Sequence, residues 1–454
     1  MTAVLQRYLN IRREELVPVL LAALYFFCIL TALMVLRPTR DALGMQRGLD
    51  AVRWLFMTTL VVTLFINPLF GWLVGRFRRL TFISIAHAFF ALNLLLFYGL
   101  ITFAPQAIGV TSGQVFYVWM SVFNLFLTMM FWALMADRFS LEQSKRLFGA
   151  IAVGGTLGAI FGSWLAVMLT GTFGAAAMLL VAIVFIGVAV GAAWAVAVLQ
   201  PEHPDPARVR DPEASPAVSE RAIIGGSALE GFRAVFRSPY LLGIAGYVLI
   251  LAVVATFIYF TRLQMVAALG DDVDMRAGLF ARIDLATQLA TLFLQLIVAG
   301  HVIKRLGVPV ALALLPLTVA LGFVGLAIVG SLAALVIFEA TFRAVQRAIM
   351  RPGRETLFTV VTREEKYKAK AFIDTFGYRT GDAVGAQTEG LLAKLGMGLA
   401  GLATVVVPLA LAWGALGIWL GRRQQHIAEQ ARREADQAAA EPGEILAQAG
   451  YSAK

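Results

Sequence analysis

The sequence predicts an all-α polytopic membrane protein, with twelve transmembrane helices in two six-helix halves, on three observations. Of its 454 residues, 59% are hydrophobic and only 15% charged, and the mean hydropathy is +0.79, outside the range of an ordinary soluble domain. Apolar runs of the ~20 residues needed to cross a ~30 Å hydrocarbon core recur along the whole chain. The connections between them are basic on every second occasion, which is how arginine and lysine mark the cytoplasmic side.

In the first half the runs fall near 16–36, 54–74, 81–104, 115–135, 148–169 and 175–199. In the second they fall near 240–260, 279–300, 308–328, 331–350, 371–391 and 397–420, the tenth and eleventh carrying charges of their own. Between the halves the chain reads PEHPDPARVRDPEASP, a proline-rich charged stretch that cannot build a core and is expected to be a cytoplasmic linker. The domain organisation that follows is a first half over 1–199, a linker over 200–238, a second half over 239–421 and a cytoplasmic tail over 422–454.

Orientation comes from the short loops. Arg76, Arg78 and Arg79, then Arg138, Lys145 and Arg146, then Lys304 and Arg305, then Lys366, Lys368 and Lys370, then Arg422 and Arg423 lie on one side. The intervening connections are poor in positive charge, as at Pro105–Gly113 and Thr170–Gly174, or acidic, as at Asp271, Asp272 and Asp274. Both termini are therefore expected in the cytoplasm, with the first span retained, because MTAVLQRYLNIRREEL lacks a small-residue cleavage site. One connection breaks the rule: Arg37, Arg40, Arg47 and Arg53 follow the first span on the outer side. Charge kept where topology disfavours it invites a functional reading.

The tenth run holds the densest charge. EATFRAVQRAIMRPGRE places Glu339, Arg343, Arg347 and Arg351 four apart, with Arg354 and Glu355 following. Side chains four apart on an α-helix stack on one face, drifting by roughly 40° per step, so the guanidinium groups form one cationic stripe. An arginine at mid-bilayer costs ~2.5–3.5 kcal/mol on insertion scales and faces a bundle interior or a water-filled cavity. A planar fork of this kind suits phosphate or carboxylate oxygens, and a helix end emerging among lipid headgroups is the plainer alternative.

Other polar groups fall inside the runs. Arg282 and Asp284, continued by Gln288 and Gln295, line a cavity or form an ion pair, and Arg379 and Asp382 stand three apart. Asn93, Asn124 and Gln387 read as hydrogen bonds between helices, and Tyr25, Phe26, Phe27, Phe131 and Trp132 as packing rather than a base-stacking site. A single cysteine, Cys28, excludes a disulfide framework, and His87, His203, His301 and His426 show no metal-ligand spacing. No cofactor is expected. The formal charge of +10 reflects the topological bias and implies no nucleic-acid partner. Neither a GxxxxGK[ST] loop nor a nucleophile–base constellation occurs, which argues against ATP-driven pumping and against an enzyme.

The halves repeat. KRLFGAIAVGGTLGAIFG from Lys145 aligns without gaps on KAKAFIDTFGYRTGDAVG from Lys368, setting Gly154, Gly158 and Gly162 against Gly377, Gly381 and Gly385. Glycines four apart let helix backbones approach, so spans five and eleven are expected to cross neighbours closely. After spans two and eight, GWLVGRFRRL resembles GHVIKRLGVP, and both resemble the loop motif of the major facilitator superfamily, although Gly75 stands where that motif is acidic. That resemblance implies the superfamily's fold.

Three blocks point to a narrower family. LYFFCILTALMVLRPTRDAL from Leu24, RETLFTVVTREEKYKAKAFID over Arg354–Asp374, and FWALMADRF with SKRLF resemble the ATP/ADP antiporters, the nucleotide transporters of plastids and intracellular bacteria. The resemblance implies that Arg40 takes the place of an important family lysine, Arg354 and Glu355 that of its Lys-Glu pair, and Lys368 and Lys370 that of its loop lysines. Two positions depart. Met120 or Ser121 replaces an acidic residue, and Asp382 replaces a lysine, which reverses a charge near any bound phosphate.

The function expected is a secondary transporter that moves nucleotides or a related phosphorylated anion by alternating access, as an ATP/ADP-antiporter-like exchanger that binds ATP or a less charged nucleotide. The substrate-binding residues expected are Arg37, Arg40, Arg282, Arg343, Arg347, Arg351, Arg354, Glu355, Arg379 and Asp382. Coupling or gating falls to Asp41, Asp284, Glu339, Asp374, Lys145, Arg146, Lys368 and Lys370. The alternative is a proton-coupled exporter of an amphiphile or drug, with Glu339, Asp374 or Asp382 carrying protons. The expected partners are the anionic substrate and membrane lipid, and the expected state is a monomer in a bacterial inner membrane.

Overall fold

The computed structural model describes residues 12–74, 79–200, 233, 235–298, 302–362, 369–370 and 372–448. Nearly all of the linker, the motif residues Gly75–Arg78, Gly300 and His301, and the lysines Lys366 and Lys368 lie outside the described residues. Among those described the regular structure is helical, as lipid requires of chains that must satisfy every backbone group internally.

The helices are α1 (Leu16–Gly44), α2 (Leu49–Val74), α3 (Arg79–Phe103), α4 (Gln106–Arg138), α5 (Leu141–Leu199), α6 (Pro239–Ala267), α7 (Val273–Val298), α8 (Val302–Val329), α9 (Leu332–Val345), α10 (Arg351–Leu357), α11 (Tyr378–Lys394) and α12 (Leu399–Gln448). A π-helical turn, Gln346–Met350, joins α9 to α10, and another, Ile373–Gly377, leads into α11. Eight described helices are long and apolar enough to cross a membrane. One of these stretches, Arg146–Leu199, contains both the fifth and the sixth predicted runs. It breaks at Gly174, whose φ of 79° and ψ of 166° are easy only for glycine. The break coincides with the connection expected at Thr170–Gly174. Asp274 caps the second arm, accepting the Ala175 N–H at 2.7 Å. Of the remaining predicted spans, α7 carries Asp274, Arg276, Arg282 and Asp284, whereas α9 and α11, each adjoining a π turn, are only 14 and 17 residues long.

Several boundaries differ from expectation. Arg37, Arg40 and Asp41 do not lie in a connection after the first span: α1 continues through Pro38 to Gly44, and its 29 residues reach ~44 Å. The extension persists because its charges find partners within the protein, described below. The segment after Pro105 is helical rather than a loop, and the expected tail after Arg422 continues α12 as far as Gln448.

The described chain divides into two compact units. One comprises Met1–Gly225, Thr256–Leu289 and Asp382–Leu391; the other comprises Gly226–Ala255, Ala290–Gly381 and Leu392–Lys454.

In the first unit the glycines of α5 run along α1. A Cβ on Gly154, Gly158 or Gly162 would collide with the carbonyl oxygens of Ala23, Phe27 and Thr31 in turn, and Thr31 Oγ1 donates to Gly158 O at 3.1 Å. In the second unit Gly381, the repeat partner of Gly158, meets α6 in the same manner: a Cβ there would lie 2.8 Å from Leu249 O. The close crossings expected of spans five and eleven are thus present at equivalent glycines. Around them the first unit packs an aromatic core in which Phe26 stacks on Phe131 at 4.3 Å and Trp119 on Phe123 at 4.9 Å. Outward faces carry Phe65, Leu92, Phe103 and Ile328, apolar side chains left exposed for lipid to cover.

Candidate functional site

Two charged clusters stand out, one in each unit. The first forms where α1, α6 and α7 carry ionisable groups into an otherwise apolar core. Arg262 on α6 is 0% exposed and donates to Asp41 Oδ2 of α1 at 2.7 Å and to Asp284 Oδ1 of α7 at 2.8 Å. Asp41 also accepts from its neighbour Arg40 at 2.5 and 2.9 Å and from Tyr259 at 2.9 Å. Arg37 approaches the second oxygen of Asp284 at 3.7 Å. Tyr117 of α4 shares a 2.9 Å hydrogen bond with Tyr259 and offers its ring to Arg40, whose Cζ lies 4.9 Å from the centroid.

A related tie lies on α2. Arg53 donates to Glu389 of α11 at 2.9 Å and to Asp50 at 2.5 Å, and Gln264 of α6 also donates to Glu389. Close by, Thr256 donates to Asp382 at 3.4 Å and Gln387 to the Arg53 carbonyl at 3.4 Å.

The second cluster follows α9 through the π turn into α10. Arg343 pairs with Glu339 one turn earlier. Arg347, in the π turn, and Arg351, at the start of α10, are exposed, whereas Arg354 is buried. A π turn closes its hydrogen bonds to i+5, so it rotates less per residue than an α-helix. That offsets the drift of a four-residue spacing and helps to hold the stripe to one face. Arg354 pairs with Asp374 at 3.0 Å and Glu355 at 3.4 Å, and Glu355 accepts from Lys370 at 2.6 Å. Glu355 stands beyond the end of the tenth apolar run. Burial alone would raise its carboxyl, but Lys370 and Arg354 overcome it and hold it below its ordinary value.

The remaining predicted residues scatter. Arg282 and Asp284, two apart on α7, point roughly 200° from one another; Arg282 is exposed while Asp284 is buried. Gln288 reaches Met34 Sδ of α1 at 3.7 Å. Arg379 is half-buried at the start of α11. Arg146 binds Glu15 at 2.6 and 2.8 Å, fixing the start of α1 to the start of α5; Lys145 lies on the first turns of α5. Asn93 does not reach a neighbouring helix: its amide donates to Phe89 O on its own helix at 2.7 Å. Among the described residues no group of three His, Cys, Asp or Glu side chains is placed to hold a metal ion.

Sequence reasoning missed Arg262, Glu389 and the role of Arg53. The signal was present. Arg262 lies just beyond the seventh apolar run, an arginine at the end of a span as Arg37 and Arg40 are at the end of the first.

Long apolar helices and small-residue crossings together define a polytopic helical membrane protein. The chain belongs to the Major Facilitator Superfamily, whose family model matches residues 19–386. Its fold is similar to that of the POT family transporter PepTSo, with a TM-score of 0.62 and 13% identity over 92% of this chain and 99% of that one. It is similar also to a mutant form of the nucleoside transporter NupG, with a TM-score of 0.59 and 12% identity over 90% of this chain and 99% of that one. An auto-inhibited POT family peptide transporter matches with a TM-score of 0.56 and 13% identity over 92% and 97% of the two chains. No curated protein matches in sequence.

Proposed function

We propose that this transporter carries a nucleotide or a related phosphorylated anion by alternating access, in the manner of an ATP/ADP-antiporter-like exchanger. The observation that carries the proposal is the arginine stripe from Arg343 through the π turn to Arg354, with Arg347 and Arg351 exposed on helices of a membrane protein. Glu339 and Asp374 hold the arginines at its two ends, Arg343 and Arg354. Arg347 and Arg351, both exposed, carry the planar fork that suits phosphate oxygens in pairs. π turns inside α-helices occur frequently at functional sites, which supports the same reading. NupG is a nucleoside transporter, and the likeness to it speaks to the fold alone.

The expected setting is a bacterial inner membrane, with both termini cytoplasmic, a monomeric protein and two six-helix halves. Asp382, at the position of a lysine in the ATP/ADP antiporters that the sequence resembles, favours a ligand of lower charge than ATP, such as a nucleoside mono- or diphosphate. Binding of a panel of nucleotides, phosphosugars and uncharged amphiphiles to the purified protein tests the proposal. Saturable binding confined to phosphorylated ligands is expected; binding of the amphiphiles alone would establish the proton-coupled exporter instead.

A further inference from the structure

Arg282 takes no part in either charged cluster. It stands on α7, three residues (~4.5 Å) inside the apolar run that begins near 279. Its side chain is exposed, and no hydrogen bond or ion pair joins it to another described residue.

The helix around it is two-sided. At about 100° per residue, the positions within roughly 60° of Arg282 are Met275, Gly278, Leu279, Leu285, Ala286 and Leu289, all apolar. Leu289 is 49% exposed. Between Ala277 and Leu289 the other polar groups are Asp284, Thr287 and Gln288, all buried and about 120° or more away. A helix that lines a water-filled path turns its polar groups toward that path, whereas α7 buries them and leaves an apolar face outside. The face that carries Arg282 is one for lipid to cover.

An arginine on such a face, with no carboxylate to neutralise it, must bring its guanidinium to the headgroup layer. Two features of α7 allow this. Helical side chains lean toward the N-terminus, which is the nearer end of this apolar run. One turn that way stands Gly278, where an added Cβ would meet nothing within 4 Å, so the path is open. The residues four before and four after Arg282 are Gly278 and Ala286 rather than further arginines, unlike the stripe at Arg343, Arg347 and Arg351. One planar fork then meets one phosphate, through two of its oxygens.

We infer that Arg282 binds the headgroup phosphate of an anionic phospholipid on the lipid-facing surface of α7, at the level where that helix begins. This makes it a lipid contact and takes it out of the group that holds the transported anion. The inference does not depend on what the transporter carries.

The test uses the full chain in nanodiscs, with a bimane fluorophore on Leu289→Cys in a Cys28→Ala background. Blue-shifted emission typical of hydrocarbon is expected; emission typical of water would put this face in an aqueous cavity and overturn the inference. In discs of phosphatidylcholine, phosphatidylglycerol with brominated chains should quench the bimane more strongly than brominated phosphatidylcholine does. Arg282→Gln should lower that preference by about fivefold, and Arg282→Lys by less, because lysine keeps the charge without the fork. An unchanged preference in Arg282→Gln would overturn the inference. So would relief of the quenching by inorganic phosphate, which would assign the site to a soluble anion. The exposed side chain holds no partner in the fold, so Arg282→Gln is expected to fold as the parent does.

Discussion

Arg262 and Arg347 are the same side chain in two settings. Arg262 is wholly enclosed, and its guanidinium is clamped between Asp41 and Asp284. Arg347 is exposed, set in a π turn between Arg343 and Arg351. A chain that keeps an arginine among apolar helices has two physical options: neutralise it internally or present it to something that will. The first cluster takes the first option, and the exposure of Arg347 and Arg351 in the second leaves room for a ligand. Intramembrane charge is therefore no single functional signal, and exposure separates an arginine that can only hold helices together from one that can meet a ligand.

Stability measurements sharpen that contrast, and the largest effect is expected at the enclosed cluster. Asp284→Ala removes one of the two carboxylates that pair with buried Arg262 and should cost ~3–5 kcal/mol, whereas Arg347→Gln should change stability by no more than ~0.5 kcal/mol. Thermal unfolding in detergent reads both. Similar shifts for the two variants would erase the distinction.

A smaller effect is expected where α5 crosses α1. Valine at Gly158 would drive a side chain into the Phe27 carbonyl and should cost ~1–3 kcal/mol, the range for overpacking. Gly187→Ala, on the same helix where a Cβ meets nothing within 4 Å, should be neutral or slightly stabilising. A Gly158→Val protein that melts with the parent would show that the close crossing is not needed.

The smallest effect concerns Glu355, whose pairs with Lys370 and Arg354 are partly exposed. Glu355→Gln should cost ~0.2–1 kcal/mol at neutral pH. The folded carboxyl is held below its ordinary value, so its contribution is complete above the unfolded value of about 4.3 and disappears as pH falls through the lower folded one. The stability gap between parent and Glu355→Gln should therefore close in acid. A gap that widened instead would mean the carboxyl is raised, with burial outweighing Lys370.

Much of the fold was legible because lipid imposes a one-dimensional rule: apolar runs of sufficient length, alternating basic loops and glycines at four-residue spacing each have a local signature. Gly158 and its repeat partner Gly381 were found that way, as was the break at Gly174. The charged helices were harder. The end of α1 was misjudged because Arg37 and Arg40 look like a loop until Arg37 is seen beside Asp284 and Asp41, the partner of Arg40, is seen to accept from Arg262, and the contacts to Asp284 and Arg262 depend on packing across the chain. For the same reason Arg262 and Glu389 were missed, since neither has a chain neighbour that explains it. The stripe at Arg343, Arg347 and Arg351 was readable from spacing alone, but the π turn that aligns it was not, because the sequence reads as continuous α-helix there.

Phosphorylated-anion binding is proposed for Arg347 of the π turn and Arg351 just after it. Its most direct test is titration calorimetry of the purified transporter with the tightest nucleotide from the ligand panel, comparing the parent with Arg347→Gln and with Arg423→Gln in the exposed stretch of α12. Loss of a charged hydrogen-bond partner is worth ~1.5–3 kcal/mol, so Arg347→Gln should weaken binding about 10- to 100-fold while Arg423→Gln leaves it unchanged. An Arg347→Gln protein that binds every phosphorylated ligand as tightly as the parent would contradict the account.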